Sequence, residues 1–170
     1  MQYQLLADRP DAIPIVGRWL YEEWGRSIKG NTVEKACDRI RQRVSKDHLP
    51  LHILAVENGV VVGFAALKLR EMDIYPEREH WLGSVYVPPE HRGNGIATFL
   101  IQTVVSLAPR YGVSILSLQT EREDGGLYTR LGWVPVERVR YHGVDVVVME
   151  RHLKVEPNIA VHGRIASSPP

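Results

Sequence analysis

The chain has 170 residues, and its 21 Lys and Arg residues nearly balance 20 Asp and Glu residues, so that the formal net charge is +1. That length suits one domain that buries about 70% of the surface of its unfolded chain. A near-neutral balance argues against nucleic acid as a partner, which needs a basic excess, and no apolar run approaches the ~20 residues of a membrane span.

The single cysteine, Cys37, cannot form an internal disulfide, which favours a reducing compartment. The first eight residues lack the basic start and the long apolar stretch of a secretory signal peptide. We therefore expect a cytoplasmic protein.

The first part of the chain predicts a strand and two helices. Residues 2–6 alternate polar and apolar side chains, as in a strand. Apolar residues recur at three to four positions over residues 10–24, which predicts a helix that Gly25 ends. A second helix is predicted to begin at Asn31 or Thr32. Its outer face carries basic side chains that we expect to be solvated, namely Arg39, Arg41, Arg43 and Lys46.

The middle of the chain predicts three strands. Residues 51–56 and 60–69 are apolar runs that flank Asn58-Gly59, a strong signal for a hairpin. A polar loop is expected over residues 71–78, and a central strand over residues 79–87.

The remainder predicts a long helix over residues 94–108, a buried strand over 113–118 and a short helix over 124–131. Two last strands, 133–141 and 144–153, should form a hairpin. The order β-α-α-β-β-β-α-β-α-β-β indicates an α/β fold with a mixed sheet and helices on both faces.

Residues 1–153 are thus predicted to form a single domain. Residues 154–170 contain three prolines and two serines and show no periodic apolar face. We expect this tail to be disordered or tag-like.

A glycine-rich turn, Arg92-Gly93-Asn94-Gly95, lies between the central strand and the long helix. Successive backbone N–H groups in such a turn, together with the positive end of the helix dipole, form an anion site. Glycine removes the Cβ atoms that would hold a phosphate away from those amides. The context of a strand before and a helix after predicts phosphate binding here.

Two other phosphate-binding motifs fit this turn less well. A P-loop has Lys and then Ser or Thr after its last glycine, whereas this chain has Ile96-Ala97. The dinucleotide fingerprint places Gly or Ala three positions after its second glycine, and Thr98 stands there.

Residues 85–97, Val-Tyr-Val-Pro-Pro-Glu-His-Arg-Gly-Asn-Gly-Ile-Ala, resemble the acetyl-CoA-binding motif of the GNAT N-acetyltransferases. Glu90 replaces the Gln or Arg that this motif often carries. Residues 127–133, Leu-Tyr-Thr-Arg-Leu-Gly-Trp, resemble the second signature of the family, with Trp133 in place of Phe. The resemblance covers roughly residues 1–152 and is strongest over 80–135.

The resemblance implies a GNAT-like fold in which the strands before and after the main helix splay apart and admit acetyl-CoA as co-substrate, with no metal. It also implies a set of cofactor-binding residues in the central strand and the turn. They are Val85, Tyr86, Val87, Arg92, Gly93, Asn94, Gly95, Ile96, Ala97 and Thr98.

The expected reaction is direct transfer of an acetyl group to a primary amine of a small molecule or peptide. Tyr128 matches the usual general acid of the family, and an ordinary tyrosine pKa of about 10 keeps it protonated. Glu79 matches the base of the histone-acetyltransferase branch. His80 and the pair Glu22 and Glu23 are alternatives for the base.

Glu23, Trp24 and Tyr75 are the candidate walls of the acceptor site, since acidic and aromatic groups suit an amine. The loops over residues 71–78 and 141–143 should also select the acceptor. Polyamine, aminoglycoside, amino acid, peptide N-terminus and lysine side chain all stay open as acceptors.

Two further readings compete with the enzyme. One is a catalytically inactive acyl-CoA-binding sensor or protein-interaction module, which the presence of Tyr128 disfavours. The other is a toxin that acetylates charged tRNA, which the near-neutral charge disfavours. A homodimer stays open, because many GNAT relatives are dimers.

Overall fold

The computed structural model describes residues 1–154, which form one seven-stranded mixed sheet with helices on both faces. The strands are β1 (Gln2–Leu5), β2 (Leu51–Glu57), β3 (Val60–Leu69), β4 (His80–Tyr86), β5 (Ile115–Thr120), β6 (Val134–Tyr141) and β7 (Val144–His152). The helices are α1 (Ile13–Leu20), α2 (Val33–Arg43), α3 (Ile96–Leu107) and α4 (Gly126–Arg130). This confirms the predicted α/β class and element order. Apart from Lys154, the predicted tail lies outside the described residues.

The strand order in the sheet is β1-β2-β3-β4-β5-β7-β6, and all neighbours are antiparallel except β4 and β5. The predicted hairpin between β2 and β3 is confirmed. Asn58 and Gly59 both have positive φ, 50° and 81°, as a tight two-residue turn requires.

The first helix differs from its prediction in its regularity. A 3₁₀ turn over Pro10–Ala12 leads into α1, and the chain then continues as one π-helical turn over Tyr21–Gly25. Periodicity alone does not distinguish these helix types, because each of them places apolar residues on the same broad face. The π turn matters because it contains Trp24.

Two apolar cores lie on opposite faces of the sheet. On one face α3 packs over inward-facing residues of β2, β3 and β5, including Ile53 and Leu67. On the other, α1 and α2 pack over Leu54 and Phe64. Alternation of Ile53 and Leu54 along β2 sends successive side chains to the two faces. Burial on both sides thus fixes the sheet between its helices.

The parallel strands β4 and β5 separate almost at once, which confirms the predicted splay. Trp81 opposite Ser117 is their one register pair, whereas β4 stays paired with β3 as far as Tyr86. Beyond Trp81 the edge of β4 that faces β5 therefore has no strand partner. Of the helices in the described part of the chain, none combines the length and the apolar character needed to span a bilayer.

Candidate active site

The turn before α3 exposes a run of main-chain donors. Gly95, with φ of 74°, is the residue that caps α3, and no side chain caps the helix there. The amides of His91 and Arg92 donate to carbonyls of the preceding turn, and the amide of Phe99 donates to Gly95. Among residues 1–154, no acceptor is found for the amides of residues 93–98. Six consecutive N–H groups are consequently free at the positive end of a helix.

The glycines of this turn face open space. Gly93 and Gly95 have φ of 82° and 74°, and a Cβ built on either would meet no atom within 4 Å. Backbone conformation therefore demands glycine here, and space is left for a group outside the protein. The exposed Arg92 adds positive charge, and its Nε donates to the Val87 carbonyl at 2.9 Å. Asn94 Nδ2 donates to the His91 carbonyl at 3.2 Å. This donor set suits a diphosphate.

A bulge in β4 lies between this turn and the splay. Two residues of β4, Ser84 and Val85, stand opposite Ala65 alone, and Ser84 has φ of 52°. A bulge of this kind bends the strand and redirects the following residues. Val85 packs against the main core, and Tyr86 resumes pairing with Phe64. The bulge therefore lies where β4 turns away from β5.

Tyr128 on α4 lines the same space as residues of β4 and β5 beyond their one register pair. Its ring lies edge-on to Trp133, with centroids 6.3 Å apart. Burial raises the pKa of Tyr128 above its ordinary value. No described side chain forms a hydrogen bond with its hydroxyl. The phenol thus stays protonated at neutral pH and is free to donate.

A cavity of about 1010 Å³ opens on the face of the sheet that α1 and α2 cover, and it extends to Tyr128 and to Leu82–Val85 in β4. Leu20, Trp24 and Ile28 supply an apolar wall. Several charged or polar residues complete the lining, among them Arg39, Lys68, Glu71, Glu121, Arg122 and His142. The cavity thus meets the open edge of β4 from the side opposite α3.

Three expected site residues lie outside this lining. Glu79 is exposed just before β4, where its carbonyl accepts from the Arg70 amide at 2.8 Å. Tyr75 packs against the cluster around Trp81, and the Arg78 guanidinium lies 5.2 Å from its ring centroid. Glu23 is exposed beside the cavity.

Trp24 does line the cavity, as part of an aromatic cluster with Tyr86 and Trp19. The ring of Tyr86 lies 5.3 Å from Trp19 and 6.3 Å from Trp24. Burial raises the pKa of Tyr86, and the nearby Glu23 carboxylate raises it further. The cluster joins the π turn to β4 through ring contacts. Trp24 itself is half exposed and forms part of the cavity wall.

Several residues of the cavity lining were not predicted from the sequence. Arg39 is exposed, as expected of the outer face of α2, and it also reaches the cavity. Lys68 and Glu71, which pair at 2.8 Å, have opposite charges three positions apart, and this spacing could have predicted their ion pair. The Gly83-Ser84 pair within a strand is typical of a bulge and could have predicted the bulge at Ser84. Within residues 1–154, no three His, Cys, Asp or Glu side chains come together as a metal site.

Known proteins of this architecture resemble the chain. Aminoglycoside 6'-acetyltransferase type Ii has a TM-score of 0.70 and 16% identity, covering 92% of this chain and all (100%) of its own. The structure of yncA from Salmonella typhimurium, with its cofactor acetyl-CoA, has a TM-score of 0.68 and 20% identity over 92% of this chain and 96% of its own.

A ribosomal-protein-alanine N-acetyltransferase from Brucella melitensis has a TM-score of 0.68 and 21% identity, covering 90% of this chain and 100% of its own. No curated protein matches the chain by sequence. The model of the acetyltransferase (GNAT) family matches residues 15–133. The chain therefore belongs to the GNAT family of acetyltransferases and is an acyltransferase.

Proposed function

We propose that this enzyme transfers the acetyl group of acetyl-CoA directly to a primary amine of a small molecule or peptide. One observation supports this most strongly: six free amides at residues 93–98 adjoin the unpaired edge of β4. That edge leads to the cavity and to Tyr128. Along β4 there are thus, in order, an anion site, an extended edge for binding, a proton donor and a cavity for the acceptor.

The residues around the turn suit the parts of a coenzyme. Arg92 and the amides of residues 93–98 would hold its diphosphate. The open main-chain edge over Val85–Val87 would pair with the amides of the pantetheine arm as a strand does. When bound, acetyl-CoA supplies a thioester whose carbonyl carbon an amine can attack. A β4 amide directed at that carbonyl oxygen would stabilise the negative charge that develops on it.

Tyr128 is proposed as the general acid. Its hydroxyl has no described hydrogen-bond partner, and its raised pKa keeps the proton in place until a thiolate leaves. Donation of this proton to the sulfur would prevent the reverse reaction. Position and protonation state therefore suit the same step.

The amine must lose a proton in the same reaction. Glu79, which the resemblance implies as the base, lies outside the cavity lining. Glu71 and Glu121 are the carboxylates that line it. We propose that the acceptor's proton leaves through one of these two residues.

Replacing Tyr128 by Phe tests this proposal. We expect Tyr128→Phe to lower kcat for thiol release about 100-fold or more, since general acids contribute at least that much. Calorimetry should show unchanged CoA affinity, because none of the proposed diphosphate and pantetheine contacts involves the hydroxyl group of Tyr128. Tyr3→Phe, which removes an exposed hydroxyl on β1, is the matched control and should keep full activity.

Two results would contradict the proposal. If CoA binds but no amine from a broad panel releases thiol, the protein is a coenzyme-binding module and not a transferase to amines. If Tyr128→Phe retains full kcat, the general acid lies elsewhere.

A further inference from the structure

The charges that line the acceptor cavity are not all neutralised within the protein. Lys68 and Glu71 pair with each other at 2.8 Å. Arg122 pairs with Asp124 through two hydrogen bonds. Once these pairs are set aside, one cation, Arg39, and one anion, Glu121, are left on the cavity wall. Within residues 1–154 neither has an oppositely charged partner within salt-bridge distance.

Arg39 is held towards the cavity by a chain of hydrogen bonds. Its Nη2 donates to Asn31 Oδ1 at 2.8 Å, and Asn31 Nδ2 donates to the Gly25 carbonyl at 3.0 Å. The approach is close, because a Cβ at Gly25 would lie 2.5 Å from Asn31 Nδ2. Only glycine therefore lets Asn31 take this position. The anchored guanidinium keeps other N–H donors for a ligand, in a planar fork that matches carboxylate or phosphate.

Glu121 comes from the opposite side of the splay. It directly follows β5, whereas Arg39 lies on α2. Its carboxylate accepts no hydrogen bond from a described side chain. An ammonium group is its natural partner. Separate elements thus place an exposed anion and an exposed cation, neither of them in an ion pair within residues 1–154, around one cavity.

We propose that the acceptor is a zwitterion, a primary amine that also carries a carboxylate or a phosphate. Arg39 binds its anionic group, Glu121 binds its ammonium group, and its carbon skeleton lies on Trp24 and Ile28. This inference rests on the proposed transfer to an amine and narrows the substrate class. It disfavours plain polycations, for which an anchored arginine in the cavity would be repulsive.

Matched pairs of amines test the anionic subsite. The probes are phenylalanine against 2-phenylethylamine, 5-aminopentanoate against pentylamine, and phosphoethanolamine against ethanolamine, assayed by thiol release at saturating acetyl-CoA. We expect the anionic member of at least one pair to have at least tenfold higher kcat/KM. The pair that shows the preference distinguishes carboxylate from phosphate.

Variants then assign the preference to a residue. Arg39→Gln should raise KM for the preferred zwitterion about tenfold and leave kcat and the plain amine unchanged, as expected when a binding contact is lost. Arg41→Gln is the control, because Arg41 lies on the same helix and pairs with Asp38 outside the cavity. Glu121→Gln should raise KM for both members of a pair alike, and it should also lower kcat for both if Glu121 is the residue that receives the acceptor's proton. Glu123→Gln, outside the lining, should do neither.

The failure of this inference differs from the failure of the proposed function. Plain amines that react as well as their anionic partners, or an Arg39→Gln variant with unchanged KM, would overturn the zwitterion and leave acetyl transfer intact. Turnover with none of the six amines would also overturn it. Calorimetric titration with CoA in the same preparation then shows whether the coenzyme site stands.

Discussion

The two sides of the β4 edge differ in the groups that they expose: main-chain amides on one side and side chains on the other. On the side of α3, the turn over residues 92–98 offers main-chain amides that are consecutive in the sequence. On the other side, the acceptor cavity is built from side chains of α1, α2, β3, β4, β5, α4 and the last hairpin. In the proposed function the coenzyme does not vary, so that a local backbone motif can recognise it. The acceptor is the variable substrate, and side chains from separate elements can change one at a time.

The difference has an electrostatic counterpart. Main-chain amides and a helix dipole offer positive potential that does not titrate. The cavity instead combines charges of both signs with neighbouring histidine and tyrosine side chains. We therefore expect the turn to be sensitive to shape, and the region of the cavity to be sensitive to charge and pH.

The largest effect should come from a single methyl group in the turn. Gly95→Ala places a Cβ in the open space before the free amides, and we expect about 100-fold weaker binding of CoA by calorimetry. Gly112→Ala is the matched control, since Gly112 has φ of 77° and equally open surroundings. Both variants introduce the same backbone strain of about 1 kcal/mol, so that any difference between them in CoA affinity reports contact with the coenzyme.

Equal CoA affinity in the two alanine variants would break the comparison, because the turn would then not contact the coenzyme. A loss in both variants would instead report a general effect of strain on the fold.

A smaller effect should appear behind the cavity, at His52. Burial, together with the nearby charges of Lys68 and Arg43, lowers the pKa of His52 to about 4. This pKa lies below the value of about 6.5 in the unfolded chain, so that below pH 6.5 the unfolded state binds a proton that the folded state does not. The free energy of unfolding is therefore highest above pH 6.5 and falls as the pH decreases towards 4. We expect the free energy of unfolding to fall by about 2 kcal/mol between pH 7 and pH 4.5.

Urea unfolding of His52→Gln at pH 7 and pH 4.5 tests this expectation. The variant should lose most of the decrease that the wild type shows, whereas His152→Gln, at an exposed position at the end of β7, should retain it. A wild-type decrease that persists in full in His52→Gln would assign the acid sensitivity to other groups.

The smallest effect is expected at Ser84, where the two regions meet. Its φ of 52° is costly for a residue with a Cβ. Ser84→Gly should therefore raise the free energy of unfolding by about 0.5–1 kcal/mol, measured by urea unfolding. Ser106→Gly, at an exposed position inside α3, should lower it by a similar amount. A destabilised Ser84→Gly would mean that the serine side chain supports the bulge.

Local patterns predicted most of the fold. The hairpin at Asn58-Gly59 and the helix after Gly95 were both confirmed, because turn glycines and apolar periodicity act over a few residues. Boundaries were less accurate: β5 spans Ile115–Thr120, whereas the prediction was residues 113–118. The end of a buried strand depends on its partner, here β7, which pairs with it through Thr120.

Side-chain positions in the acceptor cavity were predicted less well. Arg39 and Arg41 look alike in the sequence, but one lines the cavity and the other pairs with Asp38 on the surface. The difference follows from how α2 is rotated on the sheet. Cys37 and Ile40 set that rotation by packing in one cluster with Leu54 of β2 and Phe64 of β3.

The sequence alone determined the turn that opens α3, because its donors are consecutive and its glycines have the φ angles that only their type adopts readily. The tertiary structure alone decided the acceptor cavity. Arg39 and Glu121 are far apart along the chain. They line one cavity because α2 packs over β2 and β3, while β5 separates from β4 beyond Trp81. Long-range packing of this kind depends on the whole core, and no short pattern contains it.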